Sequence, residues 1–351
     1  MARWRATGQP GFFDLDRRLE AISVKGDPLE TIKAAVPWED FRADIEGATA
    51  PAERKSNAGR KPYDAVLKFK VLVLQSLYNL SDEQTELMIR DRLSFMRFLD
   101  LGLEDPVPDA TTIWLFREAV VDAGLVDKLF DRFGRHLEAK GYIARGGQIV
   151  DATIVPVPRQ HNTKEENETI KADEKPQQWQ QHSAKLAQKD VDARWTKKND
   201  ESFYGYKNHV GVDKAHKLIR KWDITDAAMH DSQKLDDILD PSNTAKDVWA
   251  DSAYRSAAIE RRLRDKGLRS RIHRRAVRGH ALSETQKAAN TTRSKVRARV
   301  EHVFGHQENS MGGKIVRTIG IVRARLKIGM MNLGYNIRRL VQIERAAAAP
   351  A

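Results

Sequence analysis

Cysteine is absent from this chain of 351 residues, which excludes disulfides and thiolate metal sites and makes a reducing compartment unobjectionable. No run approaches the roughly 20 apolar residues of a membrane span. The start, Met1-Ala2-Arg3-Trp4-Arg5-Ala6-Thr7-Gly8, has no apolar stretch of signal-peptide length. The expectation is a cytoplasmic protein without a membrane partner. Aliphatic side chains are scarce between Arg159 and Glu201, where Gln, Lys, Glu and Asn dominate. Such a stretch cannot bury enough to fold alone; it reads as a loop, a mobile insertion or a segment ordered on a ligand. Positive charge is plentiful: Lys+Arg 61 against Asp+Glu 49 gives a formal net charge of +12. That balance attracts polyanions, but it also fits a merely soluble basic protein, so the placement of charge must decide.

With 40% hydrophobic residues, the length suffices for two ordinary domains. The first, residues 1–140, reads as all-α. Tyr63, Val66, Leu67, Phe69, Val71, Leu72, Leu74 and Leu77 describe a largely buried helix with Pro62 in its first turn. Ser81 caps a second helix running past Phe98, and Asp109-Ala110-Thr111-Thr112 opens a third. Gly141 and the pair Gly146-Gly147 mark a boundary. Residues 141–345 then read as an α/β domain with a mixed sheet: a strand from Ile149 to Val157, the polar insertion 159–201, and an antiparallel hairpin of Tyr206 to Val212 with Leu218 to Thr225. A buried strand at Val248-Trp249-Ala250 follows, then a helix closed by Gly267, a basic strand, and helices over Thr285 to Asn309 and towards Arg345.

Three acids stand out. Asp151 ends the apolar run Gln148-Ile149-Val150, Asp251 ends Val248-Trp249-Ala250, and Glu301 sits in a basic helical pattern. A carboxylate on a buried strand needs a cation or donors to offset its desolvation. Hard divalent ions such as Mg²⁺ take oxygen ligands, and two strand-borne Asp with one helix-borne Glu supply the ligands that two-metal phosphoryl transfer uses. With this net charge, the natural phosphodiester is nucleic acid. Singly, each acid has a plainer reading: a capping Asp, or a Glu in an i,i+4 pair with Arg297. Arg297 and Glu308 share a helix face with Glu301, and Arg297 is placed to orient that carboxylate or to fork a phosphate.

Lys207 and His209 alternate on one strand face and are candidate DNA contacts. So are Arg271, Arg274 and Arg275, within a track that also holds Arg269, His273 and Arg278. His230 and Asp231 read as a polar turn or as groups positioning a phosphate or a water. Trp222 and Trp249 read as core, whereas Trp179 and Trp195 in the polar insertion are candidates for stacking on a base.

Gln148-Ile149-Val150-Asp151-Ala152-Thr153, Trp249-Ala250-Asp251-Ser252-Ala253-Tyr254 and Arg297-Ala298-Arg299-Val300-Glu301-His302-Val303-Phe304-Gly305 resemble the three catalytic motifs of DDE transposases of bacterial insertion sequences, most closely the insertion sequence five group. Gly59-Arg60-Lys61-Pro62-Tyr63-Asp64, Phe203-Tyr204-Gly205-Tyr206-Lys207-Asn208-His209 and His230-Asp231-Ser232 extend the likeness over roughly residues 59–340. The resemblance implies a ribonuclease H-like catalytic domain and a helical DNA-binding or dimerising region before it. It further implies a triad of Asp151, Asp251 and Glu301 holding two Mg²⁺ ions, with Mn²⁺ as a substitute. Implied partners are duplex DNA with terminal inverted repeats, a target DNA, and a second copy of the chain on the nucleoid. Where related transposases carry Tyr and Lys in the third motif, this chain has Ser294 and Glu308; Lys314 is a weak substitute for that Lys. The alternatives are a nuclease of similar fold that only hydrolyses, and a catalytically silent DNA-binding protein.

Overall fold

The computed structural model describes residues 11–49, 61–276 and 280–348. Its first part is all-α: α1 (Asp14–Val24), α2 (Pro28–Ala35), α3 (Arg42–Thr49), α4 (Ala65–Tyr78), α5 (Asp82–Asp91), α6 (Leu93–Phe98), α7 (Ala110–Asp122) and α8 (Leu125–Ala139). Local chemistry sets the starts. Asp64, rather than a helical Pro62, caps α4 by accepting from the N–H groups of Val66 and Leu67. Ser81 and Gln84 form a reciprocal capping box on α5, and Asp109 caps α7. The single helix expected after Ser81 is two, because Arg92 adopts an extended conformation between α5 and α6.

The second part contains β1 (Gln148–Pro156), α9 (Lys164–Lys171), α10 (Gln177–Gln180), α11 (Ser183–Ala187), β2 (Arg194–Lys198), β3 (Glu201–Asp213) and β4 (Ile219–Asp226). It continues with α12 (Leu235–Ile238), β5 (Asp247–Trp249), α13 (Ala257–Asp265), β6 (Arg269–Ser270), α14 (Glu284–Gly305) and α15 (Ile321–Ala348). The long β3 pairs antiparallel with β1 on one side and with β2 and β4 on the other, while β5 and β6 run parallel to β1. This is the expected mixed α/β sheet.

The start of β1 is pinned by Gly147 at φ +91°, where a Cβ would lie 2.4 Å from the Trp249 ring and 2.7 Å from the Asp247 carbonyl oxygen. Only glycine lets β1 and β5 meet there.

Gly141 separates helices from strands but not two cores. Helix α15 packs on α2, α4, α7 and α8 and also on β3 and β4, so one continuous cluster of buried residues spans both parts, with a smaller second cluster around Val150, Val248 and Tyr254 on the other face of the sheet. Trp222 and Trp249 belong to the larger cluster, as expected.

The polar insertion is folded, contrary to its reading as a loop or a ligand-ordered segment. Thr163 and Glu166 box the start of α9. Trp179 is fully buried, its indole N–H donates to Glu166 Oε1 at 2.6 Å, and Lys185 and Lys189 lie against its ring. Buried Asp190 accepts from the Tyr206 hydroxyl at 2.7 Å. Polar side chains of the insertion itself hold Trp179 while β3 holds Asp190, which composition does not reveal. Trp179 is therefore core, whereas Trp195 is 43% exposed with Tyr204 and Arg159 against its ring. Asn199 and Asp200, at φ 50° and 64°, form the two-residue turn between β2 and β3.

Candidate active site

Asp151 lies inside β1 rather than at its end, yet its side chain remains 15% exposed. The reason is the neighbouring strand. Parallel pairing of β1 with β5 stops at Ile149 and Trp249, and two residues beyond that pair stand Asp151 and Asp251. A step of two in extended backbone keeps the face, so Asp151 in β1 and Asp251 just beyond the end of β5 both project on the side of Ile149 and Trp249. Neighbouring strands lie about 4.8 Å apart, and the negative charge of Asp251 reaches Asp151. Asp251 also carries its plain role, accepting from the Ala253 N–H at 2.8 Å as the cap of the turn Ser252–Tyr254.

Helix α14 covers this face. Arg297 Nη2 donates to Asp151 Oδ2 at 3.0 Å, and the Ala152 N–H donates to Oδ1 at 2.9 Å. Burial pushes the Asp151 carboxyl above the ordinary range, against the opposing pull of Arg297. Glu301 sits one turn further along α14, exposed and without a hydrogen bond or ion pair to the described residues. No three acidic or histidine side chains among the described residues converge on one point. The two aspartates are brought together; Glu301 shares the helix but faces solvent.

Oxygen donors remain free for a hard cation. Each Asp151 oxygen accepts one hydrogen bond, Asp251 Oδ1 accepts one, and Glu301 accepts none. This donor set suits Mg²⁺.

Several groups around the pair carried little weight in the sequence. Tyr254 is fully buried, its hydroxyl has no hydrogen-bond partner, and burial with the charges of Asp151, Asp231 and Asp251 holds it well above the usual phenol range. On the open side stands a wall of arginines. Arg293 is pushed below the usual guanidinium range by burial and by Arg255, Arg274 and Arg271, and His273 is pushed down by burial, Arg297 and Arg293. Spacing alone did not bring Arg255 beside Arg293; the turn after Asp251 does.

Arg274 and Arg275 are exposed, and neither side chain is bonded to a described residue, whereas Arg271 is paired with Asp247 at 2.8 Å. Asn290 ties down the Arg274 backbone on both sides, at 3.0 and 2.9 Å. Arg278, like Gly59 and Arg60, lies outside the described residues.

Two expected DNA contacts are corrected. Lys207 and His209 do share a face, but it is that of Ala152 and Ile154, opposite to Asp151. His209 is completely buried and bonded to Thr225 Oγ1 at 2.9 Å. Lys207 holds the Met229 carbonyl and Asp231, at 2.7 and 2.8 Å. Lys207 thus braces the turn at Met229–Asp231 and His209 braces β3 against β4, and neither side chain is exposed. His230 caps that turn by accepting from the Ser232 N–H. Glu308 does not continue the face of Glu301, because His306–Ser310 is a π-helical turn that shifts the phase. Both Glu308 and Lys314 are exposed.

Residues 144–337, more than half of the chain, match the family described as Transposase DDE domain, and residues 17–119 match the one described as Transposase domain (DUF772). The chain belongs to the DDE transposases, enzymes that act on DNA. No solved structure matches it. No described helix is long and apolar enough to cross a membrane.

Proposed function

We propose that this transposase cuts and joins DNA strands by metal-dependent phosphoryl transfer, with Asp151, Asp251 and Glu301 as the metal-holding triad of a ribonuclease H-like domain. The observation that carries this reading is the pairing of Ile149 with Trp249, two residues before each aspartate, on the face covered by α14. Two Mg²⁺ ions held by the triad would supply the charge that activates the attacking water or 3′-hydroxyl and stabilises the leaving oxygen. Arg297 orients Asp151 in the free protein and turns to a DNA phosphate when the carboxylate is engaged elsewhere. Glu301, unencumbered on its helix, swings towards the aspartates. Tyr254 excludes water from behind them.

Charge assigns the grip on DNA. Residues 141–351 hold 40 basic against 25 acidic side chains, whereas residues 1–140 hold 21 basic against 24 acidic. We therefore assign the phosphate track to Arg274, Arg275, Arg293 and Arg271, and to the helical region a supporting or dimerising role rather than the main electrostatic contact. The expected substrate is an element end with a terminal inverted repeat, joined to target DNA by two or more copies of the chain, as in the insertion sequence five group. A strand-transfer assay with Mg²⁺ and labelled end DNA tests this. Covalently joined products support a transposase, while cleavage without joining would reduce the activity to hydrolysis.

A further inference from the structure

A cavity of about 290 Å³ lies away from Asp151, between the helical layer and the start of α15. It is lined by Ser76, Asp82, Arg117, Arg317, Thr318 and Lys327, among others. Its one inward acid is already engaged. Asp82 accepts from Arg117 through both oxygens and from Gln75 Nε2 at 2.7 Å. Arg323 is likewise occupied by Glu118, and Glu83 is exposed. Two cations are left over: neither Lys327 nor Arg317 makes a hydrogen bond or ion pair with any described residue. Two hydroxyls are left over as well, since the oxygens of Ser76 and Thr318 are buried without a partner.

We propose that this cavity is a phosphate-binding site, with Lys327 and Arg317 as its charged ligands and the Ser76 and Thr318 hydroxyls as neutral donors. An unpaired, largely desolvated ammonium is costly, and a bound anion would offset that cost. Phosphate fits the donor set: a compact ammonium, a planar guanidinium and two rotating hydroxyls suit several acceptor oxygens on one tetrahedral centre. The Lys327 ammonium is pushed down to about 8 by burial and by repulsion from Arg117 and Arg317, so most of it is still charged at neutral pH. The phosphate is either one in a DNA backbone or a free ion. The site is separate from the triad and its test needs neither metal nor cleavage, so its failure would leave the catalytic proposal standing.

The test is metal-free melting and calorimetry of the full chain with sodium phosphate, against sodium chloride at the same ionic strength. Phosphate should raise the melting midpoint saturably beyond chloride. Lys327→Met, which keeps the aliphatic stem, should weaken phosphate binding at least about tenfold, the loss of one charge-assisted contact. Arg317→Gln, a change at an exposed position, provides the same reading should the first variant fail to fold. If the natural source is DNA, Lys327→Met also weakens duplex binding and reduces its salt slope by about one. If the source is free phosphate, duplex binding is unchanged while the phosphate shift is lost. No phosphate-specific shift in the wild type, or full binding in both variants, would overturn the site.

Discussion

Acid should destabilise this protein through His209 in a calculable way. The ring is fully buried, and burial is the main reason its pKa is pushed down from 6.5 to about 4, with Asp231, Lys207, Asp223 and Lys234 facing it. A histidine with a depressed folded pKa binds its proton more tightly in the unfolded chain, so stability rises with pH across the window from about 4 to 6.5 and is lost as pH falls through it. The whole shift corresponds to about 3 kcal/mol, of which about 2 kcal/mol falls between pH 7 and pH 5. Urea unfolding at those two pH values, for the wild type and for His209→Gln, measures it. Gln keeps a donor near the Thr225 hydroxyl but cannot titrate, so the variant should lose about 2 kcal/mol less on acidification. Other histidines contribute equally to both proteins and cancel. The variant should also bind end DNA as the wild type does at neutral pH. An identical acid loss in both proteins, or a selective loss of DNA affinity, would refute the buried, structural assignment.

Trp179→Ala should remove about 3–5 kcal/mol from the insertion, seen as faster amide exchange over residues 164–190; unchanged protection would show that the insertion does not rest on this ring. Gly147→Ala should cost about 2–5 kcal/mol, from a left-handed backbone and overlap with Trp249, and a thermal melt within error of the wild type would contradict the close approach. Glu308→Lys should strengthen DNA binding at low salt, the gain shrinking as salt rises, because Glu308 is exposed and bonded to no described residue; weaker binding at low salt would mean that the carboxylate has a partner on DNA-bound protein.

Elements whose signals are local were legible in the sequence. Ser81 and Asp109 announced their helices by capping chemistry, Gly267 closed α13 as read, and the run around Val248 yielded a buried strand. Features fixed by distant partners were not. Period 2 correctly put Lys207 and His209 on one face, but which face meets α14 depends on the register of β3 with β1. The insertion looked unfoldable because polar partners hold it: Glu166, Lys185 and Lys189 surround Trp179, and Tyr204 and Tyr206 of β3 bind Asp190. At the site, the two aspartates were visible as acids on apolar runs, while the shortness of β5, which uncovers Asp151 in mid-strand, was not. The helical period aligned Glu308 with Glu301 only until the π turn rotated it away. The arginine wall was half visible: Arg271, Arg274 and Arg275 are close in sequence, whereas Arg255 and Arg293 join them only through the fold.

The central claim is that Asp151, Asp251 and Glu301 together hold the metal that cleaves DNA. It is tested most directly by Mg²⁺-dependent nicking of end DNA by Asp151→Asn, Asp251→Asn and Glu301→Gln, each beside a binding assay on the same DNA. These substitutions remove charge with almost no change of volume. Each variant should bind DNA close to the wild-type level and show no detectable nicking. Normal nicking by the three variants would contradict the metal site, and normal nicking by Glu301→Gln alone would remove the helix-borne acid from it.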